Sequence, residues 1–280
     1  MYPVVFETGP ILISVLSGAI LLALGAIAWQ ARRHDGAAAI RWLDVGLAAV
    51  LAGVVGARLL YVALEWDHFA QHTGAIVRLR TGGMAWHGAL ITGLPAAWIT
   101  ARLRGVAWRP WTDAAALGWP LGVAGAWLAC RGAGCAYGYE VRSLADWPAW
   151  MVEELPDVYD LPAPRLDLQA GGTVFGLGLL TVALVMTWRG WLPGLRLWAI
   201  LALTGLGMAL LGFFRADPAH TVYNRRIDQI LDLALLMSST LIGSTLWLRD
   251  RRAAAKTRQT RKDERHERDA GPGPDRSQAG

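Results

Sequence analysis

The chain of 280 residues is poor in charge, in lysine and in cysteine. Only 18% of its residues are charged while 54% are hydrophobic, a balance that excludes one ordinary soluble domain. The mean hydropathy of +0.32 points the same way. Its two cysteines, Cys130 and Cys135, are too few for a structural metal site; they are free thiols or, on an oxidising side, a disulfide. No glycine-rich phosphate loop with a following lysine and no dinucleotide fingerprint is present, so no nucleotide, redox cofactor or metal is expected. The period-two alternation of a barrel strand is missing from the apolar stretches, which leaves helix as the spanning structure. Residues 1–10 have no basic segment and no small-residue cleavage site, so the first apolar stretch reads as a retained helix rather than a signal peptide.

What is present is a series of long apolar runs. A helix needs roughly 20 apolar residues to cross the hydrocarbon, and about seven runs qualify: 10–29, 43–66, 84–101, 113–130, 171–188, 195–214 and 227–248. The expectation is therefore an all-α integral membrane protein with about seven transmembrane helices, occupying 1–250. Trp66, Trp108, Trp111 and Trp188 fall at the ends of runs, where an indole settles between headgroup and tail. Gly118 with Gly122, and Gly172 with Gly176, are small residues four apart that let helices approach closely.

Arginine fixes the orientation. Arg32, Arg33 and Arg41 flank the first loop, Arg102, Arg104 and Arg109 the third, Arg189 and Arg196 the fifth, and these should be cytoplasmic. Residues 251–280, which carry both lysines, read as a disordered basic cytoplasmic tail rather than a nucleic-acid-binding segment. The N-terminus is then outside, and the acidic, proline-rich stretch 131–170 forms a small extracytoplasmic head. Arg78, Arg80, Arg131, Arg215, Arg225 and Arg226 sit outside against the topological trend, where an arginine can bind a lipid phosphate.

One stretch concentrates chemistry: Arg80-Thr-Gly-Gly-Met-Ala-Trp-His87-Gly places an imidazole and a guanidinium beside paired glycines at the mouth of an apolar run. Ionisable groups there are expensive to keep and point to a site. His68 and His72 have the spacing of two metal ligands on one helical face, but no further ligand is evident nearby and a wet loop is the simpler reading.

Gly53-Val-Val-Gly-Ala-Arg58-Leu-Leu-Tyr61, followed some twenty residues later by Gly82-Gly-Met-Ala-Trp-His87-Gly-Ala-Leu-Ile91, resembles the second and third helices of the prolipoprotein diacylglyceryl transferase family. Gly9-Pro10, Arg32-Arg33, Ala133-Gly-Cys-Ala-Tyr-Gly138, Pro162-Ala-Pro-Arg165, Phe213-Phe-Arg215-Ala-Asp217 and Asp228-Gln-Ile-Leu231 follow in the family's order. The resemblance implies a multi-pass enzyme of the bacterial inner membrane. It would transfer the diacylglyceryl group of phosphatidylglycerol to the cysteine thiol of a prolipoprotein signal peptide, with no cofactor. The partners implied are phosphatidylglycerol, prolipoprotein signal peptides and membrane lipid, and no nucleic acid.

That reaction needs a thiolate, whereas a free cysteine ionises near pH 8.5, about the ordinary value. It also needs cations for the charge gathering on the leaving phosphate. By match to the family, His87 is the expected base or proton relay and Arg215 the phosphate clamp. Arg58, Gly83, Arg131, Tyr137, Glu140 and Gln229 are the expected substrate-binding residues. The chain departs from the family pattern at three places. Ala126-Trp127 through Cys130 stand where the family has an arginine and an asparagine, and Cys135 where it has a glutamate. The first helix lacks a tyrosine near Leu16 and Ser17, and a Gln-Leu-Tyr-Glu motif is reduced to Gln169-Ala-Gly-Gly. Arg131 and Glu140 are the expected substitutes. The alternative is a catalytically inactive paralogue that binds phospholipid or a lipoprotein precursor.

Overall fold

The computed structural model describes residues 9–34, 39–79, 82–157, 159 and 161–269. Arg80 and residues 270–280 lie outside the described residues. The chain is dominated by helices: α1 (Gly9–His34), α2 (Ala39–Leu64), the short α3 (Trp66–Gln71), α4 (Trp86–Arg104), α5 (Trp108–Ala133), α6 (Leu168–Trp188), α7 (Arg196–Gly212) and α8 (Ile227–Asp269). Each long helix covers most of one apolar run. Four of them are long and apolar enough to cross a membrane: α1 over Ser14–His34, α2, α6, and α8 over Ile227–Lys262. α7 is apolar but has only 17 residues, and α4 and α5 are diluted by Trp, Gly, Pro and Arg.

Helix ends follow from local chemistry. α1 closes on Arg32, Arg33 and His34, cations that suit the negative end of the helix dipole. Gly105 and Gly134 adopt left-handed conformations where α4 and α5 stop. Asp167 caps α6 by accepting from the Ala170 N–H at 2.9 Å. α8 continues as helix through 251–269, part of the segment expected as disordered tail. Ala, Lys, Arg, Gln and Glu dominate there, and their helix propensity carries the helix onward.

Packing is set by small residues. α2 lies along α4, α1 along α5, α7 along α8 and α5 along α6. A Cβ at Gly56 would come within 2.5 Å of the Gly88 carbonyl oxygen, so glycine at both positions permits the α2–α4 crossing. Thr92 locks it by donating to the Ala52 carbonyl at 2.6 Å. The glycine pairs read from sequence divide. Gly118, Gly172 and Gly176 face Ala23, Trp127 and Ala124 closely, but Gly122 has no heavy atom within 4 Å of its built Cβ. Trp111 is also not an interfacial anchor. It is buried and donates its indole N–H to the Trp42 carbonyl at 3.2 Å, because α5 turns it into the core shared with α1 and α2.

The two ends of the bundle differ. At one, Arg104 pairs with Asp44, Arg109 holds both oxygens of Asp250 at 2.9 and 2.8 Å, and Asp113 accepts from the Gly194 and Arg196 N–H groups. At the other, β1 (Val152–Pro156) pairs antiparallel with β2 (Pro162–Leu166). Leu166 N–H donates to Tyr139 O, Tyr139 N–H to Phe214 O and Ala216 N–H to Tyr137 O, so residues 137–141 and 214–216 extend the hairpin sideways. A small sheet in the 131–170 region is thereby tied to the α7–α8 connection. Cys130 and Cys135 form a disulfide across the end of α5, settling the alternative the sequence left open. A second hairpin, β3 (Thr221–Val222) and β4 (Arg225–Arg226), turns through Tyr223 and Asn224, both at positive φ, and leads into α8.

Candidate active site

His87 stands in the first turn of α4 and is buried. Its Nε2 lies 2.8 Å from Oδ1 of Asp232, itself buried in the second turn of α8. As a carboxylate Asp232 can only accept, so Nε2 carries the proton and Nδ1 presents its lone pair. The Trp86 ring stands 3.9 Å from the imidazole and 5.9 Å from Trp119, whose indole N–H donates to Thr204 at 3.1 Å. Four helices thus meet around the imidazole.

One turn before Asp232, Asp228 continues the polar face toward the end of the bundle. Arg215 donates to both oxygens of Asp217 at 2.8 and 2.5 Å, and its Nη1 is 3.1 Å from Asp228 Oδ2. Arg226 closes the cluster, donating to Asp228 at 2.9 Å and to the Asp217 carbonyl at 2.8 Å. Burial opposes the charge of Arg215, but Asp217, Asp228 and the nearby Asp232 outweigh it and hold the guanidinium above its ordinary pKa. Arg215 is therefore cationic at any working pH.

Arg58 uses all five N–H donors on backbone carbonyls: Nε to Ile76, Nη1 to Gly82 and Gly83, and Nη2 to Ala75 and Arg78, at 2.6 to 3.2 Å. It is the buried peg of the loop that delivers His87. Gly83 has φ 78° and packs against the Tyr61 ring, which leaves no room for a side chain. Gln229 donates to the Ala209 carbonyl at 3.3 Å beside Gly212. His68 and His72 stack ring on ring at 4.8 Å on and just after α3.

Of the expected substitutes, Arg131 stands in the last turn of α5 with its side chain toward β1, and Glu140 bridges to Arg165 of β2. Arg131 is 2.6 Å from Asp167 and also pairs with Glu153. Among the described residues no hydrogen bond or ion pair joins it to His87 or Arg215. The α6 cap and β1 supply nearer carboxylates and hold it there. Glu140 is exposed, 3.9 Å from Arg165. Tyr137 is buried under the Arg165 guanidinium at 5.0 Å, and its carbonyl accepts from Ala216, next to Arg215.

Sequence reading missed Asp232, although it directly follows the quoted Asp228-Gln-Ile-Leu231. A carboxylate inside an apolar helix is itself a signal, and the spacing of four from Asp228 sets both acids on one face. Asp217, two residues after Arg215, is readable from the sequence as its structural partner, and the two pair; Asp228 as a counter-ion shared with Arg226 was missed, since that convergence depends on the β3–β4 turn.

The chain matches the Prolipoprotein diacylglyceryl transferase family over residues 3–248. It is 31% identical over 119 residues to the phosphatidylglycerol–prolipoprotein diacylglyceryl transferase of Bacillus velezensis, covering 41% of this chain and 43% of that protein. The protein of the same name from Clostridioides difficile is 35% identical over 86 residues, 30% of this chain and 35% of the relative. That from Chloroflexus aggregans is 42% identical over 72 residues, 26% and 23% respectively. Each match thus spans less than half of the relative's length. With its glycine-pegged α2–α4 crossing, the buried histidine beside it and a match running from residue 3 to residue 248, the chain belongs to the prolipoprotein diacylglyceryl transferase family.

Proposed function

We propose that this protein is a phosphatidylglycerol–prolipoprotein diacylglyceryl transferase. The observation that carries the reading is the buried His87–Asp232 pair set beside the Arg215–Asp228 cluster at one end of an apolar bundle. In the reaction the cysteine sulfur of the prolipoprotein bonds to the terminal carbon of the diacylglyceryl unit. The carbon–oxygen bond to phosphate breaks, and glycerol phosphate leaves with the electron pair. The thiol proton passes to Nδ1 of His87, with Asp232 stabilising the imidazolium that results. Arg215 faces the charge developing on the phosphate, in surroundings where a cation acts more strongly than in water. Arg58 and Gly83 hold the loop that presents His87, and Tyr137, Gln229, Arg131 and Glu140 line the approach of the lipid and the signal peptide.

Seven helices, α1, α2 and α4 to α8, cross the bacterial inner membrane. The N-terminus and the 131–170 head lie outside and the C-terminus in the cytoplasm. Three features support this orientation: the arginines of the first, third and fifth loops, the Arg109–Asp250 and Asp113–Arg196 contacts gathering those loops with α8 at one end, and the disulfide at the other end, where an oxidising compartment would preserve it. The test is rescue of a bacterium depleted of its own transferase. The wild-type chain restores lipidated prolipoprotein and growth, while His87→Gln and Arg215→Ala, present in the membrane at equal amount, do not. A wild-type chain that accumulates in the membrane and restores neither overturns the reading.

A further inference from the structure

Cys130, in the last turn of α5, is joined to Cys135, two residues past that helix. The helix stop itself does not need the bond. Gly134 is left-handed at φ 64°, and the Cys135 N–H donates to the Cys130 carbonyl at 3.0 Å, so the backbone alone closes the last turn. The demanding position is the next one. Ala136 is buried and has φ 54°, a left-handed conformation that a residue with a Cβ disfavours and that persists only where its surroundings impose it. Here they impose it from both sides. Before Ala136, Cys135 is tied covalently to α5 and its carbonyl accepts from Gln169 Nε2 of α6 at 2.8 Å; after it, residues 137–139 enter the sheet.

The left-handed residues on either side of Cys135 aim 137–139 along the α7–α8 connection. Ala216 N–H donates to the Tyr137 carbonyl at 2.9 Å, Tyr139 N–H donates to the Phe214 carbonyl at 3.1 Å, and Gly138 bridges Arg215. The peptide groups on both sides of Arg215 are thus held by the segment that starts at Cys135. That segment has little freedom to slide, because a Cβ at Gly138 would already come within 2.5 Å of the Leu166 carbonyl oxygen of β2. From this backbone the Arg215 guanidinium reaches Asp228, one turn before the Asp232 that pairs with His87. Displacing the strand therefore moves a guanidinium relative to an imidazole. Both cysteines are half-buried, within reach of a small dithiol, and the chain has no others.

We propose that Cys130 and Cys135 are positioning residues for Arg215: their disulfide fixes the strand that carries the Arg215 backbone and so sets the guanidinium beside the His87–Asp232 pair. Reduction by a dithiol breaks the S–S bond and passes two electrons and two protons to the sulfurs, giving two thiols, while the dithiol becomes a disulfide. The bundle stays folded and the reacting groups lose their register. The consequence for turnover rests on the transferase reading; the mechanical link between the disulfide and Arg215 does not.

The test compares the full-length protein with Cys130→Ser/Cys135→Ser in detergent, well below the melting temperature of either. Amide hydrogen exchange rises about tenfold or more across 135–139 and 214–216, while α2 and α6 keep their protection. The kcat for lipidation of a signal peptide falls by about 10- to 10²-fold, the order for a reacting group misplaced by ~1 Å, and KM for phosphatidylglycerol stays within a few-fold. If the serine variant does not fold, wild type reduced with dithiothreitol and then freed of it gives the same readings, and reoxidation reverses them. Exchange that rises only at 130–135, or over the whole bundle, overturns the proposal and leaves the disulfide a staple of the helix end. An active wild type whose kcat is the same with and without the disulfide overturns it too, and leaves the transferase reading standing. A wild type without turnover, in which exchange at 214–216 follows the disulfide, sinks the transferase reading and keeps the link.

Discussion

His87 and Asp232, separated by 145 residues, form a 2.8 Å hydrogen bond in which both side chains are buried. The bond closes α4 onto α8, and it fixes which nitrogen of the imidazole can take a proton. Gly205 permits it, because any side chain there would meet the Asp232 backbone carbonyl at 2.6 Å and push α7 off α8.

Asp232→Asn should therefore impair chemistry more than binding. An amide can hold the ring but cannot stabilise an imidazolium, and the rate of prolipoprotein lipidation should fall by about 10²- to 10⁴-fold, the usual range for a lost general base. The affinity for phosphatidylglycerol should stay within a few-fold of wild type. A turnover assay on a labelled signal peptide measures the first and calorimetry the second. Wild-type turnover in Asp232→Asn would remove the dyad from the mechanism.

Gly88→Ala should destabilise the fold by about 1–3 kcal/mol, the usual cost of overpacking, since its Cβ would fall on the Gly56 carbonyl. Gly122→Ala, with nothing within 4 Å, should be neutral or slightly stabilising. Thermal melting of the two variants in one detergent makes the comparison, and equal melting temperatures would contradict the α2–α4 crossing.

Arg58→Ala should free the loop rather than the bundle. Five carbonyls lose their shared donor, so amide hydrogen exchange across 73–83 should rise sharply while α5 to α8 keep their protection. Arg58→Lys should restore little, because an ammonium has three donors and no fork.

Reducing the Cys130–Cys135 disulfide should lower stability by about 2 kcal/mol, the chain-entropy value for so short a loop. Melting with and without reductant, with Cys130→Ser/Cys135→Ser as control, reads the effect. If the variant responds to reductant as wild type does, the shift comes from elsewhere.

Much of this protein is legible in its one-dimensional pattern. Apolar runs locate the long helices because a bilayer-facing segment must satisfy its backbone internally and present apolar side chains outward. The Gly53 to Arg58 and Gly82 to Gly88 stretches mark a close helix crossing for an equally local reason: only glycine lets two backbones approach so nearly. His87 stands out because an ionisable group at the mouth of an apolar helix has to have a use.

Which charges meet was decided in three dimensions. Arg58, Arg131, Arg165 and Arg215 are indistinguishable as letters, yet one pegs a loop, one braces α6, one lies over Tyr137 beside Asp157 and Glu140, and one shares two carboxylates beside His87. Their partners depend on how each helix is rotated about its axis and how the 131–170 sheet folds back on the α7–α8 connection. Hydropathy is blind to both, because rotating a helix or shifting a hairpin leaves composition unchanged while moving a side chain from one neighbour's field to another's.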